Sequence, residues 1–327
     1  MKSPSDLADQ VLEVSIVGSF TKLGYRARKG MSRWESLENV ARSENFQGRR
    51  VVLTGATSGI GAAAARTMVD LGAELHIVGR DAERTRHAAE DLSQRTGAIA
   101  VTAHIADLTD LCAVSRMLDT FPEGSIDALV HNAGALVHQY QATNAHEQTY
   151  TAQVLAPQLM TERLLPQLSP GGRVVVVSSG GMYTEPLRPN AMEFGRKEYD
   201  GVRAYARAKR AQVELVQQWS REYADTRVSF HSMHPGWADT PGVRSSLPGF
   251  YRITKAVLRN PDEGADTLVW LVVAPQSELG SGNFWLDRRP RSIHRLPSTR
   301  TSESEQSELF RLVTDQVETV VGDCADS

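Results

Sequence analysis

Tyr205 and Lys209 stand four residues apart in RAYARAKRAQVELVQQW, a stretch of helix-forming residues. In a helix of about 3.6 residues per turn, positions four apart share a face, so phenol and ammonium can enter one cleft. A free tyrosine, with a pKa of about 10, is a poor acid–base group at neutral pH. A nearby ammonium favours the phenolate and brings the group towards useful proton transfer. The same spacing also occurs on ordinary helices with the lysine solvated and the tyrosine half buried, so the pair needs context. TGATSGIG (54–61) supplies some. Gly55, Gly59 and Gly61 allow a tight turn and close backbone approach, and the helix start behind them presents free N–H groups and partial positive charge to a pyrophosphate.

The elements that must position these groups alternate along the chain. Apolar runs at 50–54, 74–79, 98–104, 127–131, 173–179, 227–234 and 283–287 read as strands. Between them lie an alanine-rich helix ending at Gly72 and helices over 81–95, 109–121, 144–168, the Tyr205 segment and 262–274. RVVVVSS is a continuous apolar run of the kind buried on both faces of a sheet. The alternation predicts an α/β fold: a doubly wound parallel sheet (Rossmann fold), a single domain with helical N- and C-terminal extensions. The expected divisions are an N-terminal extension over 1–48, the main domain over 49–287 and a tail over 288–327 with one helix. In the first, LADQVLEVSIVGSFTKL reads as one helix with Leu12, Ile16, Phe20 and Leu23 on a stripe and Leu7, Val11 and Val14 beside it, running into the basic GYRARKG. Such a helix can dock on the body or a second subunit, or lie on a membrane surface; Asp9 and Glu13 interrupt its pattern. In the tail, Ser302 and Glu305 form a capping box before a helix with Leu309, Leu312, Val313, Val317, Val320 and Val321 on one side.

Composition bounds the rest. The 327 residues are 41% hydrophobic with a net charge of −3, which suits a globular protein and gives no reason to expect a nucleic-acid partner. Cys112 and Cys324 lie far apart with no CxxC, so neither a disulfide framework nor a zinc cluster is expected, and a reducing, cytoplasmic compartment fits, with peripheral membrane contact through the N-terminal helix left open. His231 and His234 lack a third partner at metal-ligand spacing and read as ordinary histidines; no metal is expected. The start MKSPSDLADQ carries acidic residues where a secretory signal has its apolar core, and no stretch approaches the roughly 20 apolar residues of a spanning helix.

Taken together, the motifs resemble the short-chain dehydrogenase/reductase family over about residues 48–287, all in family order. TGATSGIG is similar to that family's cofactor turn, which assigns Thr54, Gly55, Thr57, Ser58, Gly59, Ile60 and Gly61 to the cofactor. Asp107 and Leu108 correspond to its adenine contact, and HNAG (131–134) stands where NNAG is usual, assigning Asn132, Ala133 and Gly134. VVVVSSGG carries the catalytic serine position at Ser179, with Ser178 left a strand-end hydrogen bond; HPGWADT, with Pro235, Gly236 and Thr240, is similar to the loop that closes over the nicotinamide. The resemblance implies that Tyr205 exchanges a proton with the substrate oxygen, that Lys209 lowers the tyrosine pKa and holds the nicotinamide ribose, and that Ser179 hydrogen-bonds the substrate oxygen. It also implies pairing of subunits through the long helices, a homo-oligomer.

Two departures stand out. Gln153 occupies the position where the family usually has an Asn that helps hold a water relay behind the lysine; Gln offers the same donor and acceptor groups on a longer stem. His131 replaces the first Asn of NNAG. The second strand ends in Gly79 and Arg80, where an acidic residue would favour NAD, so NADP(H) is favoured over NAD(H), with Asp81 adjacent. Met182, Tyr183, Phe250 and Tyr251 are candidates to line an apolar pocket or simply to pack. The sequence therefore reads as an NADP(H)-dependent oxidoreductase acting on a small apolar carbonyl or alcohol, with a catalytically weak NADP(H)-binding sensor or scaffold as the alternative. A sugar-nucleotide epimerase fits less well, lacking TGxxGxxG and a longer C-terminal domain.

Overall fold

Short runs of Val, Leu and Ile build the strands, and the computed structural model describes residues 4–32, 34–97 and 100–325. Seven parallel strands make the sheet: β1 (Arg50–Thr54), β2 (Glu74–Gly79), β3 (Val101–Ile105), β4 (Ile126–His131), β5 (Leu168–Val177), β6 (Ser229–Met233) and β7 (Asn283–Leu286). A two-residue strand β8 (Arg289–Pro290) pairs antiparallel at one edge, giving the order β8-β7-β6-β5-β4-β1-β2-β3. This is the doubly wound α/β architecture read from the alternation of elements. The start of the expected third strand at 98–99 lies outside the described residues.

Register brings the ends of four strands level: Leu53 pairs with Val130, His131 with Val176 and Val177 with Met233. Thr54, Asn132, Ser178 and His234 therefore leave the sheet at one edge, the carboxyl ends of the strands on either side of the point where strand order reverses. Helices α4 (Leu37–Ser43), α5 (Gly59–Asp70), α6 (Ala82–Thr96) and α12 (Pro261–Val273) bury one face of the sheet in a core that includes Ala63, Ala64, Met68, Leu268 and Val272. The other face carries α7 (Leu111–Asp119), α8 (Ala156–Leu164), α9 (Gly201–Glu222) and α13 (Glu303–Ala325). The segment after Thr240 forms α10 (Pro241–Ser246) and α11 (Pro248–Thr254).

The expected helix over 144–168 starts later and is irregular. A two-residue hairpin, Ala142–Thr143 with His146–Glu147, turns through Asn144 and Ala145 in the left-handed region. After one turn at Gln148–Tyr150, Thr151–Leu155 form a π turn before α8 begins. In the tail, Ser302 and Glu305 make the capping box read from the sequence: Glu305 N–H donates to Ser302 Oγ at 3.3 Å and Ser302 N–H to Glu305 Oε2 at 2.8 Å. Leu309, Val313, Val317 and Val320 are buried against α7, α8 and α9. The helix α13 thus covers the helix pair through which the resemblance implied that subunits meet.

Two expectations are corrected. Cys112 of α7 and Cys324 of α13 form a disulfide. Their separation of 212 residues hid a pairing that the packing of α13 on α7 creates. The N-terminal segment is three helices rather than one: α1 (Pro4–Val14), α2 (Ile16–Phe20) and α3 (Lys22–Ser32), the last including the basic GYRARKG. Ser15, extended, caps α2 by accepting from Gly18 N–H, and Thr21 is extended between α2 and α3. The expected stripe members Leu7 and Ile16 have side chains outside the described residues. Among the described residues no helix is long and apolar enough to cross a membrane.

The acids that interrupt the pattern of α1 point inward. Asp9, 6% exposed, accepts from Arg28 Nε at 2.6 Å and Arg291 Nη1 at 2.7 Å, and Glu13 pairs with Arg295 and Arg28, while Val11 and Val14 face outward. Arg28 and Arg259, each 1% exposed, converge on Asp287, also 1% exposed. Arg259 grips its carboxylate with two bonds of 2.6 and 3.0 Å, and Arg28 adds one of 2.8 Å. Asp287 itself is left-handed, φ 56°. Asp287→Asn keeps that backbone, which Asn tolerates, and removes the charge. The substitution leaves two buried cations short of their partner and is expected to cost about 3–5 kcal/mol, read as a lower urea midpoint; an unchanged midpoint would contradict this role for Asp287.

Candidate active site

The glycine turn forms because its backbone goes where side chains rarely follow. Gly55 and Gly59 are left-handed, at φ 71° and 56°. A Cβ on Gly61 would collide with the Gly55 carbonyl oxygen and the Asn132 amide. That amide is the latch: Asn132 Nδ2 donates to the carbonyls of Thr54 at 2.9 Å and Gly55 at 3.1 Å. In return, Thr54 Oγ1 accepts from the N–H groups of Asn132 and Ala133, both at 3.0 Å. At the start of α5, Ser58 makes no side-chain capping bond, so the first-turn N–H groups have no side-chain acceptor from their own cap. Thr57, exposed Ser58 and Ile60 lie along this turn, and Thr240 packs over Gly59, its Cβ 3.3 Å from where a Cβ at 59 would stand. These features fit a dinucleotide: a cradle that a Cβ would fill and a helix start suited to phosphate.

At the end of β2, Arg80 is exposed and carries no ion pair among the described residues. Asp81 is spent on α6, its carboxylate accepting from Arg84 N–H at 3.0 Å. Gly79 cannot take a side chain without displacing Thr85. Asp107 and Leu108 are half buried, and Asp107 Oδ1 accepts from the N–H and hydroxyl of Thr109. Pro235 and Gly236 are buried, the latter left-handed at φ 75°, with the Arg259 guanidinium against it and donating to Pro235 O at 3.4 Å.

The structure brings Ser179, Tyr205 and Lys209 together. Asp200 caps α9 by accepting from Val202 and Arg203 N–H, which sets the helix start from which Tyr205 and Lys209 project one turn apart. Tyr205 is half buried beside Ser179; burial pushes its phenol up, and the Ser179 hydroxyl draws it partly back. Lys209, 2% exposed, has Nζ 5.4 Å from the Tyr205 ring centroid. Burial pushes this lysine down to about 7. Ser178 donates to Lys209 O at 2.9 Å, a strand-to-helix bond.

Gln153 makes no side-chain hydrogen bond to Lys209. Its Nε2 donates to Ala135 O at 3.0 Å, and its buried Oε1 has no hydrogen-bond partner. Gln212, a residue the sequence reading passed over, makes the contact: Lys209 Nζ donates to Gln212 Oε1 at 3.0 Å and to Val177 O at 2.9 Å. His131, in place of the usual Asn, is buried against Thr161 Oγ1 at 2.9 Å and pushed down to about 3 by burial. Gly134 lies between Gln153 and Lys209, its would-be Cβ 3.0 Å from Gln153 Oε1 and 3.1 Å from Nζ.

The N-terminal extension also reaches the site. Phe20 packs edge-on to His234, with ring centroids 4.4 Å apart, lies against Gly180 and accepts a backbone bond from Trp237 N–H at 2.7 Å. His234 is buried without a partner on either ring nitrogen and pushed down to about 3, first by burial and then by Arg259 and Arg295. No sequence signal pointed to Phe20, because its neighbours come from segments some 160 to 217 residues away. Met182 and Tyr183 belong to the core with Phe20 and Phe284, whereas Phe250 is half buried and edge-on to Trp237 at 5.1 Å, and Tyr251 is half buried beside it.

A dinucleotide cradle at the switch point of a doubly wound sheet, with a tyrosine, lysine and serine facing it, defines a class. The short chain dehydrogenase family model matches residues 49–249, and the chain belongs to the short-chain dehydrogenase/reductase family of NAD(P)-dependent oxidoreductases. Within that family it is similar to dehydrogenase/reductase SDR family member 12 of Bos taurus, 36% identical over 294 residues covering 88% of this chain and 90% of that protein. A solved protein from Mycobacterium paratuberculosis is 25% identical with a TM-score of 0.68, covering 84% of this chain and 94% of that one. A short chain dehydrogenase from Burkholderia cenocepacia J2315, solved in complex with NADP, is 26% identical with a TM-score of 0.58, covering 73% of this chain and 95% of that one.

Because Gly61 sits against both the Gly55 carbonyl and the Asn132 amide, Gly61→Ala is expected to weaken NADPH binding at least about tenfold, the equivalent of about 1.4 kcal/mol. Fluorescence titration of NADPH measures it, and wild-type affinity in the variant would show that the turn can yield.

Proposed function

We propose that the protein is an NADP(H)-dependent oxidoreductase acting on the carbonyl/alcohol pair of a small apolar molecule, with Tyr205 as general acid–base. The observation that carries this reading is the placement of Tyr205 beside Ser179 and next to buried Lys209, one turn along the same helix. A bound nicotinamide supplies or accepts the hydride at the reacting carbon. In reduction Tyr205 gives its hydroxyl proton to the carbonyl oxygen, and in oxidation it takes the alcohol proton back. Ser179 Oγ accepts from Gly181 N–H at 3.3 Å, and with substrate bound its one proton is donated to the same oxygen in place of Tyr205. Burial keeps Tyr205 protonated, the form that reduction needs, and an ammonium at Lys209 favours the phenolate as charge develops.

Arg80, free of ion pairs among the described residues, supports NADP(H), since a guanidinium suits a 2′-phosphate and Asp81 is engaged in capping α6. The NADP-bound relative from Burkholderia cenocepacia supports the same preference. Half-buried Trp237, Phe250 and Tyr251 support an apolar substrate. One observation favours the second reading, a catalytically weak NADP(H)-binding sensor or scaffold: the buried, unpartnered Oε1 of Gln153, close to Lys209.

NADPH oxidation against aldehydes, ketones and quinones separates the two. Tyr205→Phe is expected to lower turnover by about 10²–10⁴-fold with NADPH binding retained. Tight NADPH binding with no turnover in either protein would establish the sensor. Arg80→Ala is expected to raise the Kd for NADPH about tenfold, roughly 1.4 kcal/mol, and leave that for NADH unchanged; equal effects on both would remove Arg80 from the 2′-phosphate.

A further inference from the structure

Among the described residues, the neighbours of buried Lys209 are neutral. From α9 its Nζ faces the Tyr205 ring and Gln212; from β5 it faces the Val177 carbonyl; across Gly134 lies the Gln153 amide. Among the described residues no carboxylate pairs with Lys209, and burial accounts for its fall to about 7.

Gln212 is held at both ends. It is 2% exposed, and its Nε2 donates to the main-chain oxygen of Gln153 at 2.7 Å while its Oε1 accepts from Lys209 Nζ at 3.0 Å. The orientation of the amide is forced by chemistry: an ammonium only donates and a peptide carbonyl only accepts, so the flipped amide would oppose both partners. The Gln153 carbonyl belongs to the π turn Thr151–Leu155, an irregularity that breaks the ordinary bonding ladder of the helix and often marks functional sites. A glutamine needed only to fill space would have no use for this polarity.

We propose that Gln212 is the positioning residue for Lys209, a two-ended neutral clamp that fixes the ammonium against the Val177 carbonyl without placing a charge beside it. The inference rests on the reading of Tyr205 as the acid–base group, and Gln212 acts on that group only through Lys209. A carboxylate at 212 would hold the lysine protonated and offset its field at Tyr205, raising both groups. An apolar side chain of the same length would take a hydrogen bond from the charged amine and lower the lysine further.

The test compares wild type with Gln212→Glu and Gln212→Met, variants of similar side-chain length. The ionisation of Lys209 is followed in full-length protein by the ¹³Cε shift of labelled lysine, assigned with Lys209→Arg. The expected result is opposite displacement: up by about one unit or more in Gln212→Glu and down in Gln212→Met, because the first adds a charge and the second removes an acceptor. Where turnover is measurable, the alkaline limb of kcat/KM for carbonyl reduction should move in the same two directions. Thermal midpoints identify a variant that has failed to fold, and Gln212→Asn then replaces it, with the expectation that the shorter amide loses one of its two ends and moves the titration down. Superimposable titrations, or displacement in the same direction for the Glu and Met variants, would overturn the proposal. Because the NMR readout needs no turnover, opposite displacement in a protein with no activity would uphold the clamp while removing the Tyr205 reading. A Tyr205-dependent activity with unmoved Lys209 titrations would do the reverse.

Discussion

The carboxylate of Asp287 is the point on which the site's surroundings depend. Buried between Arg28 and Arg259, it is the counter-ion that both cations share, with Asp9 supplying a second carboxylate to Arg28. Both arginines also donate to main-chain oxygens, and Arg28 in addition pairs with Asp9 and Glu13 of α1. Arg28 reaches Ser19; Arg259 reaches Ser19, Phe20 and Pro235. One acid at the end of β7 therefore fixes the N-terminal helices, the sheet edge and the Pro-Gly loop relative to each other. Such a buried cluster is not an efficient source of stability, because desolvation offsets much of the Coulomb attraction. Its value lies in orientation: bidentate guanidinium geometry admits few alternatives.

The same logic explains why α1 is turned inside out. An amphipathic helix ordinarily buries its apolar residues, yet here Asp9 and Glu13 face the protein and Val11 and Val14 face outward. Arg28, Arg291 and Arg295 require anions, and α1 provides them. Through this exchange the basic segment after β7 is matched in charge and Phe20 is delivered to the wall beside Gly180 and His234.

The strand–helix order was legible because a parallel sheet buried on both faces leaves continuous apolar runs, and because each helix start carries its own signal, as at Asp81, Asp110, Asp200 and Asn260. The grouping of Ser179 with Tyr205 and Lys209 was legible as a motif order. The broken N-terminal helix was not: Ser15 and Thr21 end helices through local capping and an extended backbone, whereas the apolar stripe runs straight across them. The disulfide escaped because its cysteines sit 212 residues apart and meet only through the docking of α13. Gln212 escaped for a related reason: a glutamine inside a helix reads as a surface residue, and its partner at Gln153 O lies 59 residues away.

These two polar environments contrast in a way that bears on chemistry. Around Asp287 the protein matches charge with charge, and the result is fixed geometry. Around Lys209 the described residues supply amide and peptide oxygens and no carboxylate, so that burial can act on the lysine without a counter-ion to oppose it. A carboxylate partner would make Lys209 a rigid structural cation like Arg28. Neutral acceptors hold its position without a counter-ion, so that the field of its charge is left to act on the Tyr205 ring beside it.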